Sequence, residues 1–109
     1  MLNQAVLVGR IAKELEVEEL ENEKKVATMT IAVPRSSKNE EGECETDFID
    51  IKVWNSIATN VKEYCRKGDI VGVKGRVQSR TVEKDGKTEY LMEIIAEKVT
   101  FLSSKKNEE

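Results

Sequence analysis

Apolar and polar residues alternate along most of the chain, and the alternation predicts a protein built mainly of strands. Residues 4–12, Gln-Ala-Val-Leu-Val-Gly-Arg-Ile-Ala, form a short apolar run, read as a strand ending at Gly9 or soon after. Residues 13–25 alternate weakly through Leu15 and Val17 and turn polar near Asn22. They read as a hairpin arm rising into the next strand; a short helix competes, because Glu and Leu both favour one. Residues 25–33 alternate strictly, with Ala27, Met29, Ile31 and Val33 on one face and Thr28 and Thr30 on the other. Pro34, the single proline, is expected to end that strand, because it offers no amide hydrogen to a ladder. The polar, Gly-containing residues 35–45 are expected to form a loop.

The third strand, Thr46 to Asn55, sets Ile49, Ile51 and Val53 against a face bearing Phe48, Asp50, Lys52 and Trp54. The spacing then changes. Ile57, Ala58, Val61, Tyr64 and Cys65 recur at helical intervals and predict one helix over residues 55–68, with its stripe buried. Asn55 or Ser56 is placed to cap its start. Arg66 and Lys67 suit its negative end, and Gly68 the left-handed position beyond it. Residues 69–80 return to strand, with Val71, Val73 and Val77 facing one way and Lys74, Arg76, Gln78 and Arg80 the other. Asp85-Gly86 marks a tight hairpin turn into a last strand over residues 90–102. Five strands with one helix between the third and fourth is the layout of an OB-fold, a five-stranded Greek-key barrel. The barrel domain is expected over residues 1–103, with a short polar tail over 104–109.

Composition narrows the chemistry. The 109 residues suffice for one domain, and a net charge of −3 argues against holding duplex DNA by bulk charge alone. Cys44 and Cys65 are too few for a disulfide framework, and read as two reduced thiols of a cytoplasmic protein. With no histidine, the chain lacks the usual general base and a plausible zinc ligand set, and no Gly-rich phosphate loop is present. No catalytic residue, cofactor or metal is therefore expected. The absence of a long apolar run excludes a membrane-spanning helix, and residues 1–10 do not resemble a secretory leader.

The informative feature is the polar face of the third strand. Only five residues are aromatic, and two of them, Phe48 and Trp54, stand among its charges. Two readings compete. The rings could pack beneath a loop, a helix or a second subunit, or they could stack nucleic-acid bases while nearby cations follow phosphates. Lys52, Arg76 and Thr30 belong to the same outward sets, and the joint pattern of rings and cations on adjacent strands favours binding.

The segments "NQAVLVGRI", "VATMTIAV", "TDFIDIKVWNSIATNVKEYCRKGDIVGVKGRVQSR" and "YLMEIIAEKVTFL" resemble, in order, the bacterial single-stranded DNA-binding protein family over residues 2–102. That resemblance implies an OB-fold without catalysis. It further implies a homotetramer around which single strands wrap, with the first strand, residues 3–9, pairing with its copy in a dimer. The stacking aromatics of the family correspond to Phe48 and Trp54, and its basic contacts to Arg80, Arg66 and Lys67. Arg10 and Arg35 complete the set expected to track phosphates.

Three departures from the family pattern are visible. Ser37 and Val82 stand where further aromatics are common, and Asp50 stands at a basic position. The chain ends in Lys-Lys-Asn-Glu-Glu, without the acidic Pro-Phe tip that many members use to recruit repair proteins. The expected function is coating and protecting single-stranded DNA during replication, recombination and repair. A primosomal accessory subunit acting mainly through protein partners is the alternative, and an RNA-binding OB domain a third reading.

Overall fold

Alternation along the strands is what closes the core. The computed structural model describes residues 1–104, so the part of the expected tail over residues 105–109 lies outside it. In chain order the elements are β1 (Ala5–Ile11), β2 (Glu18–Glu19), one 3-10 turn (Glu21–Glu23), β3 (Lys25–Lys38), β4 (Cys44–Trp54), α1 (Asn55–Tyr64), β5 (Ile70–Lys84) and β6 (Lys87–Ser103). The sheet runs β1-β5-β6-β4-β3-β2, and a β1–β3 pairing closes it. Five strands thus form the OB barrel, and β2 hangs on the edge of β3. The parallel β4–β6 contact is the one that needs a crossover, and α1 lies within it. Among the described residues no helix is long and apolar enough to cross a membrane.

The inner row can be followed across four strands. Met29 lies opposite Ile51, Ile51 beside Ile94, and Ile94 opposite Val77. Met29, Ile31, Ile51 and Val53 are fully buried, as the period-two pattern predicts. Ala58 and Val61 of α1 and Cys65 just beyond it seal one end of the barrel. Gly9 and Gly75 permit the closest strand contacts. A Cβ on Gly9 would stand 2.8 Å from the Ala32 carbonyl oxygen, and one on Gly75 would stand 2.2 Å from that of Ile95.

The structure corrects some expectations and bears out others. Pro34 does not end β3, which runs four residues further, with Pro34 opposite Thr46 and Lys38 opposite Cys44. Its missing donor is absorbed at a register shift in a projecting hairpin, where proline is tolerated. The loop shrinks to Asn39–Glu43, held by the Asn39 side-chain oxygen accepting from the Glu41 and Glu43 amides. β1 ends at Ile11, soon after Gly9, as expected. The acidic arm is a hairpin: Glu18 and Glu19 pair with Val26 and Lys25, and helical structure there is limited to the 3-10 turn. Leu15 anchors this arm in the core.

The helix differs in detail too. Trp54 takes the N-cap position and no side chain caps the start; the Asn55 oxygen accepts from the Lys25 amide instead. Tyr64 is exposed, because the helix ends there and the buried stripe is closed by its neighbour Cys65. The turn at Asp85-Gly86 is as expected, both residues having positive φ between the opposed Lys84 and Lys87.

The two cysteines stand in opposite environments. Cys44 is exposed at the start of β4, and Cys65 is buried. Burial, with the Asp69 carboxylate adding to it, pushes the Cys65 thiol above its ordinary value of 9.0. Thiolate is the reactive form. A thiol-modifying reagent near neutral pH is therefore expected to label Cys44 quickly and Cys65 only after unfolding. Equal rapid labelling of both in the folded protein would contradict this packing.

Candidate nucleic-acid interface

The outer face of the barrel is built by the same registers that build the core, one residue out of phase. Along β3 and β4 the outward pairs are Val26 with Trp54, Thr28 with Lys52, Thr30 with Asp50, and Ala32 with Phe48. Lys52 is also in register with Ile95 on β6, and Ile95 with Arg76 on β5. Thr28, Lys52, Ile95 and Arg76 therefore form one row across four strands, in which Ile95 itself is buried and the other three side chains are the accessible ones. Arg10 on β1 lies opposite Ala32, which brings it into the row of Phe48. Strands widely separated in sequence thus contribute to one continuous surface.

Both rings reach this surface, in different ways. Phe48 is 67% exposed, which leaves its ring free to stack. Trp54 is half-buried and lines a groove with Arg76, Gln78 and Glu97. They lie six residues apart on one strand, about 20 Å at roughly 3.3 Å per residue, so each can hold a different base of one strand. A neighbouring groove is lined by Thr28, Asp50, Lys52, Arg80 and Glu93, and the two grooves flank the β4–β6 seam.

The cations are not loose. Lys52 Nζ donates to the Thr28 hydroxyl at 2.8 Å. Arg76 lies 3.8 Å from Glu97 and donates to the Gln78 side chain at 3.3 Å. Arg80 is paired with Glu93. Arg35 contacts Asp47 at 2.9 Å and Glu45 at 2.7 Å. Its guanidinium, by hydrogen bond and by charge, holds the Asp47 carboxyl below its ordinary 3.8. Arg10 donates to the Gly68 carbonyl at 2.7 Å.

Arg66 and Lys67 stand apart, at the end of the chain's helix. Arg66 Nη1 lies 2.9–3.1 Å from the carbonyl oxygens of Lys62, Glu63 and Cys65. It caps α1, as its place in the sequence suggests, where the helix dipole favours a cation. The Lys67 amide donates to Glu14 at 3.3 Å, which ties the acidic arm to this corner.

Thr30 occupies the outer register but is only 6% exposed, and its hydroxyl donates to Asp50 at 2.6 Å. Asp50, anomalous in the sequence, thus has a partner. Beside this pair the arm residues Lys13, Glu14 and Glu16 border the face, giving it one acidic margin. Two exposed aromatics escaped the sequence reading, Tyr90 and Phe101. Tyr90 is 73% exposed on the β5–β6 hairpin, opposite Thr81. Its signal was its place five residues after Asp85; which side of the hairpin it occupies depends on the register.

Comparison with known proteins places these features. The model of the single-strand binding protein family matches residues 2–102. The Listeria innocua single-stranded DNA-binding protein 3 is 49% identical over 108 residues, covering 98% of this chain and 68% of that protein. The Bacillus subtilis single-stranded DNA-binding protein B is 40% identical, covering 99% of this chain and 96% of that one. Among solved structures, the Plasmodium falciparum SSB in complex with ssDNA superposes with a TM-score of 0.80 at 28% identity, covering 94% and 96% of the two chains. On a match spanning nearly all of its length, this chain belongs to the single-strand binding protein family.

Proposed function

We propose that this protein binds and coats single-stranded DNA with little sequence preference, and so protects it during replication, recombination and repair. The observation that carries this reading is the row of Thr28, Lys52, Ile95 and Arg76 across four strands, flanked by Trp54 in the adjoining groove and Phe48 further along β4. Phe48 and Trp54 stack bases, whose π-faces are present whatever the sequence. Lys52, Arg76 and Arg80 meet phosphates along the face, with Arg10 and Arg35 on the Phe48 side and Arg66 and Lys67 at the helix end. Thr30 holds Asp50 in place, and so acts behind the surface. No bond is made or broken in this mechanism, and it needs no cofactor or metal.

Assembly into a homotetramer fits the reading. β1 pairs with β5 over Ala5–Arg10, but with β3 only at Arg10 and Ile11. The edge of β1 before Arg10 is therefore unpaired on one side, and it is apolar: Val6 is 68% exposed and Val8 54%. An uncharged open edge of this kind is suited to pairing with a copy of itself. A cytoplasmic, nucleoid-associated protein would find its substrate there.

The deciding experiment is a gel shift comparing single-stranded DNA, RNA and duplex at two salt concentrations. Binding to single-stranded DNA is expected to exceed that to duplex. It is expected to weaken with salt, with a log–log slope of about −0.7 for each phosphate contacted. Preference for RNA would move the protein to a different substrate class. Absence of binding to every probe would overturn the reading.

A further inference from the structure

Arg35, Arg76 and Arg80 each hold a carboxylate, so this face presents its arginines already engaged. The Arg80–Glu93 pair is the most consequential. Arg80 is on β5, opposite Leu91, and Glu93 is two residues further on β6, opposite Gln78; both side chains are on the outer face. The Arg80 Nε donates to the Glu93 carboxylate. The Arg80 side chain is 57% exposed and that of Glu93 only 17%. The cation therefore faces outward while its counter-charge lies partly sheltered behind it, in the groove shared with Lys52 and Asp50.

We propose that Glu93 is an affinity-limiting latch: its carboxylate occupies the Arg80 Nε, so a phosphate can use that edge of the guanidinium only by displacing it. This rests on the single-stranded DNA reading above and refines it. A phosphate approaching the pair meets a nearly neutral couple instead of a cation. Displacement leaves Glu93 beside the bound phosphate, where it repels the phosphate or recruits a counterion from solution. Either outcome lowers both the affinity and the net number of counterions released. Asp50 does not act in this way, because it accepts from the neutral Thr30 hydroxyl and not from a cation.

The test is the substitution Glu93→Gln, which keeps the shape and removes the charge, measured by titrating oligo-dT across a salt series. Affinity is expected to rise, by up to about fivefold, the range that exposed ion pairs of this kind span. The salt slope is expected to steepen by about 0.7, the contribution of one further phosphate. In an Arg80→Gln background the same Glu93→Gln change is expected to leave the salt slope unchanged, because no arginine is released to take a further phosphate. Weaker binding by Glu93→Gln would show that Glu93 positions Arg80 productively, and an unchanged slope would show that no phosphate contact is gained. An equal steepening with and without Arg80 would reduce the effect to the general field of the face. Any of these overturns the latch. Failure of the unaltered protein to bind oligo-dT would instead remove the functional reading itself.

Discussion

Replacing Phe48 and Trp54 together by alanine is expected to weaken binding to oligo-dT by about 2–6 kcal/mol, because each stacked base is worth about 1–3 kcal/mol. The two rings are far enough apart on β4 for their effects to add approximately. Their surroundings separate the two explanations for aromatic residues on a polar strand face. Phe48 is 67% exposed, so Phe48→Ala removes little packing and should lower binding without lowering the melting temperature. Trp54 is half-buried beside Arg76 and Gln78, so Trp54→Ala should cost both binding and some stability. Trp54 is the only tryptophan, so its fluorescence reports on one place, and quenching on adding oligo-dT is expected. Full binding by the double variant would remove the stacking role of both rings, and an unchanged spectrum at saturating DNA would return Trp54 to a packing role.

Ile51→Ala is expected to destabilise the folded protein by about 2–5 kcal/mol, the usual range for truncating a large aliphatic side chain in a core. Ile51 is fully buried and lies in register with Met29 on one side and Ile94 on the other. The strands beside it are fixed by the antiparallel ladder to β3 and the parallel contact to β6, so the cavity cannot easily collapse. In a domain of this size a loss of about 1 kcal/mol lowers the melting temperature by roughly 4–8 °C, so the change should be plain in a thermal melt. Ile51 is also the inward neighbour of Asp50 and Lys52. Oligo-dT binding measured well below the melting temperature should be largely kept, since the side chain itself does not reach the outer face. A melting temperature within a degree of the unaltered protein's would show that Ile51 is not central to the core.

Much of this was visible in the sequence because strands encode their two faces locally. Ile49, Ile51 and Val53 against Phe48, Lys52 and Trp54 required only the period of two. Asp85-Gly86 announced its turn because both positions need positive φ, which few residue pairs accept. Cys65 was correctly read as buried because helical spacing placed it on the apolar stripe. The errors fell where local preference met a tertiary constraint. Pro34 breaks a ladder in general, but here the strand continues past it through a register shift. Asn55 is a good capping residue, but its side-chain oxygen is taken by the Lys25 amide, brought near by the β3–β4 pairing. Thr30 was assigned to the surface by parity, yet its pairing with Asp50 and the arm beside it leave it buried.

The strand-rich barrel, its buried and outward faces, the position of α1 and the rings and cations of the candidate interface could be read from the sequence alone. These depend on neighbours within a few residues, and the period of a strand or a helix carries them. Which residues share a row came from the folded chain, because register joins positions dozens of residues apart: Thr28 to Lys52, Lys52 to Ile95, Ile95 to Arg76. The fold also decided the state of each charge. Arg80 was equally basic on paper whether it stood alone or held Glu93, and that pairing exists only because β5 and β6 fold back on each other. Coulomb attraction depends on separation in space, and separation along the chain says little about it.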